Sequence, residues 1–235
     1  MRGLTDEMSE SQSTETELSP EELNSLVNDT ALYILRDEKL FNLIKRQDIV
    51  KFVLKEKKRH FINVIKRVKT MLKETLNLEL IDIDPNKQYA LVNRLRCKEN
   101  VFPREVEADR TLLLLVLTLI FMSNGVMAES SLFDVLKHLK ILNPKVDKKH
   151  GYFGDAEATI KRKFIRSAYL DWSVIPGTDP AEYEFRWGKR ADEEISKKEI
   201  LEFACKVIGD TEPEAWEKQF EEAVNQNRER NVRNE

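Results

Sequence analysis

The side chains of this 235-residue chain that could support metal or acid–base chemistry are His60, His138 and His150, the cysteines Cys97 and Cys205, and the adjacent acids Glu193 and Glu194. Their spacing supports neither. A zinc site needs ligands at set short intervals, as in HExxH or Cys-x-x-Cys, and these residues are scattered. Gly125, Gly151 and Gly154 form neither a GxGxxG turn nor a phosphate loop. Two neighbouring acids in a charged segment read as a solvated helix face rather than a catalytic pair. The expectation is a protein without catalytic residues, metal ligands or cofactors.

Phosphate neutralisation is the chemistry that the residue types favour. The net charge of −3 hides alternating blocks. Residues 1–30 carry one basic and eight acidic side chains, and 36–73 carry thirteen and four; 136–170 carry nine and three, and 179–222 seven and fourteen. The densest basic runs are Lys161, Arg162, Lys163 and Arg166, preceded by Lys145, Lys148 and Lys149, and Lys66, Arg67 and Lys69, preceded by Lys55, Lys57, Lys58 and Arg59. With few Asn or Gln beside them, such cations suit salt-sensitive, non-specific contact with double-stranded DNA. A merely solvated basic face fits the same pattern.

What must position these groups is a mainly helical fold. Seven Gly and seven Pro are few, and 41% hydrophobic residues supply a core. Residues 1–18 are acidic, polar and aperiodic, and read as a disordered tail without the apolar core of a signal peptide. The apolar run Leu112–Met122 is too short for a bilayer. Two cysteines without close spacing suit a reducing compartment, so the expected home is the nucleus or the cytoplasm, with no membrane partner.

Ser19-Pro20-Glu21-Glu22 has the form of a capping box, and Leu23, Leu26, Val27, Ala31, Ile34 and Leu35 continue as one helical stripe. Helices are predicted at 46–55 and 58–75, then a hairpin with apolar runs on both sides of Asp84-Pro85-Asn86-Lys87. The order repeats: helices at 112–122, 130–142 and 156–168, then a hairpin with strands at 169–175 and 182–187. Two more helices are expected at 189–207 and 213–227. Three helices and a two-stranded wing is the winged-helix order, which predicts tandem winged-helix modules, mainly α with small β wings. The modules are placed at 19–97 and 111–228, with a linker at 98–110 and a tail at 229–235.

The segment Thr178–Phe203 resembles the C-terminal signature of the MAGE homology domain, through Asp179, Pro180, Tyr183, Glu184, Phe185, Trp187, Gly188, Arg190, Ala191, Ser196 and Lys197. Leu117–Gly125, His150–Asp155 and Ile83–Asn93 are similar to further stretches of that family. Lys189 departs from it, since most members have proline after Trp-Gly, and the linker is shorter than in many.

The resemblance is strongest to the ancestral branch, a non-SMC subunit of the chromosome-maintenance SMC complex in DNA repair. It implies a nuclear, non-enzymatic interaction subunit. Its implied partners are a RING-type ubiquitin ligase subunit, met by Ile34 and Leu35 with Tyr33 beside them, and a kleisin-like subunit whose helix enters a cleft of the second module. Phe121, Phe153, Tyr169 and Trp172 are candidate lining residues; Tyr33 to Leu35 and these four all also fit ordinary core positions. Trp187 and Phe185 read as structural. Two other functions fit the same residues: a MAGE substrate adaptor for a RING ligase outside the SMC complex, and a winged-helix transcription regulator.

Overall fold

The computed structural model describes residues 18–36, 41–85, 87–94, 104–142, 149–209 and 211–232. Cys97, Lys145, Lys148 and most of the acidic tail lie outside the described residues. The fold begins with α1 (Pro20–Arg36), whose capping box closes as the sequence suggests: Ser19 Oγ accepts from the Glu22 amide at 3.2 Å, and Glu22 Oε2 accepts from the Ser19 amide at 3.1 Å. The chain then makes β1 (Ile44–Lys45) and α2 (Arg46–Ile49), which runs on as one wide helical turn through Leu54. A tight turn, Lys55–His60, leads into α3 (Phe61–Leu76). Asn77 ends α3 in the left-handed region at φ 53, a conformation that asparagine tolerates better than most residues. The wing is β2 (Leu78–Asp84) and β3 (Gln88–Asn93).

The second half repeats this order with α4 (Arg104–Met122), β4 (Val126–Ala128), α5 (Glu129–His138) and α6 (Ala156–Ala158), which widens into a turn over Thr159–Phe164. Its wing is β5 (Leu170–Val174) and β6 (Tyr183–Trp187). Each half holds one antiparallel three-stranded sheet, ordered β1-β3-β2 and β4-β6-β5, so the last strand made is central in both. Three helices, a short first strand and a wing, twice over, is a tandem winged helix. The short strands β1 and β4, two and three residues long, escaped the hairpin reading because so few residues show no alternation.

Several boundaries differ from the sequence reading, among them the tail placed at 229–235, into which the last helix runs as far as Val232. Helix α4 starts at Arg104, inside the stretch placed as linker, because the charged residues from 105 to 110 continue the helix ahead of its apolar run. The helix expected at 189–207 is two, α7 (Lys189–Glu194) and α8 (Lys197–Ile208), since Ser196 starts a new one by accepting from the Glu199 amide. Helix α9 (Glu217–Val232) follows and packs on α8.

Each half has its own core. The first gathers Leu23, Ile34, Ile49, Phe61, Val68, Leu72 and Tyr89; the second gathers Leu112, Leu117, Phe121, Leu132, Phe164, Phe185 and Trp187. Phe185 and Trp187 are buried as structural residues, the indole nitrogen of Trp187 donating to the Leu117 carbonyl at 2.9 Å. Phe41, from the first half, packs instead into the second core, 5.7 Å from the rings of both Phe164 and Tyr169.

Gly188 sits where two backbones meet. Its amide donates to the Tyr169 carbonyl, and a Cβ there would lie 2.4 Å from the Ala168 carbonyl oxygen. Because the obstacle is backbone, Gly188→Ala is expected to lower stability by about 2–3 kcal/mol in urea denaturation.

Candidate functional site

The C-terminal end of α1 is the first candidate surface. Ile34 is 0% exposed and belongs to the first core, so it cannot itself meet a partner while α1 is folded. Tyr33 and Leu35 are half-buried against that core. Helical geometry turns a different residue outward: Leu32, at 64% exposure, which the sequence reading did not select. Phe52, 55% exposed, stacks on Tyr33 at 6.2 Å, with the Lys51 ammonium 5.1 Å from its ring centre. Leu32, Tyr33 and Phe52 thus form an apolar patch edged by a cation.

The four residues proposed to line a groove in the second module do not form one exposed lining. Phe121 and Tyr169 are buried in one core: Phe121 meets Trp187, while Tyr169 sits at the seam with the first half. Phe153 packs on His150 and Tyr152 in the loop before α6. Only Trp172 is substantially exposed; it stacks on Tyr183 at 4.1 Å and donates to Glu129. The physical reason is that large apolar residues in a small domain are mostly consumed by the core. The unpartnered apolar face of this half lies on α8, where Phe203, Val207 and Ile208 are exposed at positions i, i+4 and i+5.

The basic residues divide into two sets. Lys161 pairs with Glu129 at 2.5 Å and with Glu157 at 3.7 Å, Lys163 with Asp109, and Lys69 with Asp82. Each of these three ammonium groups also lies over a ring, of Phe133, Phe41 and Tyr89 respectively. Their charge is used inside the fold. Arg162, Arg166, Lys149, Lys66 and Arg67 are exposed and make no ion pair among the described residues. Of the candidate cations these five are open to an external anion, as are Lys55 and Lys58.

The seam between the halves is polar around one ring. Arg190, 4% exposed, donates from Nη1 to the Asn42 carbonyl at 3.2 Å, pairs with Glu194 at 3.1 Å and covers the Tyr169 ring at 4.7 Å. Burial and the nearby Glu194 carboxylate push the Tyr169 hydroxyl well above its ordinary pKa, so it stays protonated and donates to Glu194 at 2.6 Å. Arg94, at the end of the first wing, pairs with Glu79 of its own half and with Glu193 of α7.

Among the described residues, no cluster of His, Cys, Asp and Glu is placed to hold a metal ion, and no helix is long and apolar enough to cross a membrane. Two winged helices with exposed apolar and basic faces define a class of binding module. Residues 32–198 match the MAGE homology domain, and the chain belongs to that family.

Among its relatives is the human non-structural maintenance of chromosomes element 3 homolog, 34% identical over 210 residues that cover 88% of this chain and 68% of that protein. Human melanoma-associated antigen D2 is 32% identical over 86% of this chain, but this match covers only 33% of that protein. A chain of a solved Nse1-Nse3-Nse4 complex is similar with a TM-score of 0.77 and 33% identity, over 88% of this chain and all of that one.

The division between core and surface on α1 has a measurable consequence. Ile34→Ala is expected to cost about 3 kcal/mol of folding stability through the cavity it leaves, whereas Leu32→Ala stays within about 0.5 kcal/mol in the same urea titration.

Proposed function

We propose that this chain is a non-enzymatic, nuclear interaction subunit of a chromosome-maintenance SMC complex. It binds a RING-type ubiquitin ligase subunit through its first half and a kleisin-like helix through its second, and it touches double-stranded DNA without reading sequence. The observation that carries this reading is the end-to-end similarity to a chain of the Nse1-Nse3-Nse4 complex, which leaves no part of that chain unmatched.

The surfaces support each contact by their chemistry. Leu32, Tyr33 and Phe52 offer the ligase subunit an aromatic and aliphatic patch of the kind that anchors interfaces, and they flank the Ile34 and Leu35 positions that the family resemblance points to. The strip Phe203, Val207 and Ile208 offers a helical partner one continuous apolar face. Arg162, Arg166, Lys149, Lys66 and Arg67 supply phosphate contacts, since Lys161, Lys163 and Lys69 are held in ion pairs within the fold. Regulation of the ligase subunit would follow from presenting it beside the kleisin-like subunit and DNA; the chain itself makes and breaks no bond.

Reconstitution with purified partners tests the assembly. The ternary complex is expected to co-elute on gel filtration, and Leu32→Asp/Phe52→Asp, two surface changes, is expected to weaken the ligase subunit's affinity at least about tenfold. Unchanged affinity would remove this patch from the interface. For DNA, Arg162→Glu/Arg166→Glu should weaken duplex binding and flatten the plot of log affinity against log salt by about 0.9 for each phosphate that is no longer neutralised. Lys163→Glu is the wrong probe, because it breaks the ion pair with Asp109. Selection from random duplexes should return no enriched motif; an enriched motif would favour a sequence-specific regulator.

A further inference from the structure

The two wings guard their outer edges differently. In the first, the edge strand β2 shifts register between Asp82 and Asp84, and Lys69 of α3 reaches Asp82 on it. Bulges and lysines are among the devices that keep a sheet edge from pairing with another chain. The outer strand of the second wing, β5, has neither, and pairs with β6 in one unbroken register from Leu170 to Val174. Four of its five residues, Asp171 to Val174, are exposed.

The pairing also fixes where the backbone groups of β5 point. The Ile175 amide donates to the Glu182 carbonyl at 2.8 Å and the Gly188 amide to the Tyr169 carbonyl at 2.9 Å, so the odd-numbered residues of the strand face β6. Alternation turns the amides and carbonyls of Trp172 and Val174 to the open side. Among the described residues nothing hydrogen-bonds to these four groups.

The side chains beside this edge divide by face. Trp172, at 41% exposure, stacks on Tyr183, and with Val174, at 51%, makes an apolar shelf. The opposite face carries Asp171, Ser173, Glu184 and Arg186. Arg186 is held by Glu184 at 2.8 Å, whereas Asp171 stands exposed at the edge and pairs with no cation among the described residues. With Glu182 exposed just ahead of β6, this face is acidic, so it repels phosphate and suits a cation.

We propose that β5 is a strand-addition site: an extended segment of a partner protein pairs antiparallel with its open edge, setting apolar side chains against Trp172 and Val174 and a lysine or arginine beside Asp171 on the other face. Backbone hydrogen bonds supply the attachment, and the alternation of apolar and basic residues supplies the selectivity. The site uses none of the residues assigned above to the ligase subunit, the kleisin-like helix or DNA.

A synthetic seven-residue peptide with blocked ends, alternating valine and lysine, is the probe, and the isotope-labelled full-length chain reports on it by nuclear magnetic resonance. Titration is expected to shift the amides of Trp172 and Val174 and to slow their exchange with solvent. At low salt this peptide is expected to bind about three- to tenfold more tightly than its counterpart alternating valine and glutamate. Methylating the valine amides, which face β5 in the antiparallel pairing, is expected to weaken binding at least about tenfold, whereas methylating the lysine amides leaves it nearly unchanged. Asp171→Lys should reverse the preference between the two peptides. Val174→Pro, which removes an outward donor and no bond to β6, should abolish binding of both.

Failure of the lysine peptide to bind overturns the proposal, as does binding that leaves Trp172 and Val174 unshifted. Equal sensitivity to the two methylation patterns overturns the pairing, and equal affinity for the two peptides overturns the charge selection. Concentration-dependent shifts of the same amides without peptide, accompanied by a dimer in sedimentation, would assign the edge to a second copy of this chain and overturn the proposal. Shifts there on adding a short DNA duplex would assign it to nucleic acid, with the same result.

Discussion

The relation between the two halves depends on one buried cation. A guanidinium as enclosed as that of Arg190 is tolerated only if its charge is matched and its donors are filled. Glu194 matches the charge, the Asn42 carbonyl takes one donor, and the Tyr169 ring presents its negative face. These partners come from three places: Glu194 from the same helix, Tyr169 from the approach to β5, and Asn42 from the other half. Separating the first half would remove the carbonyl that accepts from this guanidinium and open that side of it to water. The Arg-Ala pair after Trp-Gly in the family signature is thereby explained by its physical task at this seam, with Ala191 small and fully buried beside it.

Much of this was legible in the sequence, because the relevant signals are local. The capping box at Ser19, the stripe on α1, both wings and the burial of Trp187 all follow from patterns spanning a few residues. The features that escaped depend on partners distant in the chain or on a side chain's direction. Lys163 looks like a free cation until Asp109 of α4 is placed against it, and Lys161 until Glu129 is. Ile34 and Leu32 have similar hydropathy, and only the rotation of α1 against its core separates buried from exposed. Ser196 is different: Ser-Lys-Lys-Glu is itself a capping-box sequence, so the break between α7 and α8 was there to be read.

Clustering of basic residues is therefore a poor guide to available charge. In each half one lysine, Lys69 or Lys163, is held by a carboxylate and lies over an aromatic ring, which matches its charge within the fold although the side chains stay 33% and 41% exposed. The arginines next to them, Arg67 and Arg162, face outward. Neighbours in sequence thus do opposite work, one holding the helix in place and the other open to an anion.

The seam also bears on how members of this family tolerate insertions. Phe41, Asn42 and Arg94 tie the first half to Phe164, Tyr169, Arg190 and Glu193 of the second through contacts made outside the stretch that joins them in sequence. Where docking rather than the connecting chain fixes an arrangement, lengthening the connection adds little free energy, since closure entropy grows only logarithmically with length. The junction between the halves is thus a permissive place for evolution to add residues, whereas the few side chains at the seam are not free to drift separately.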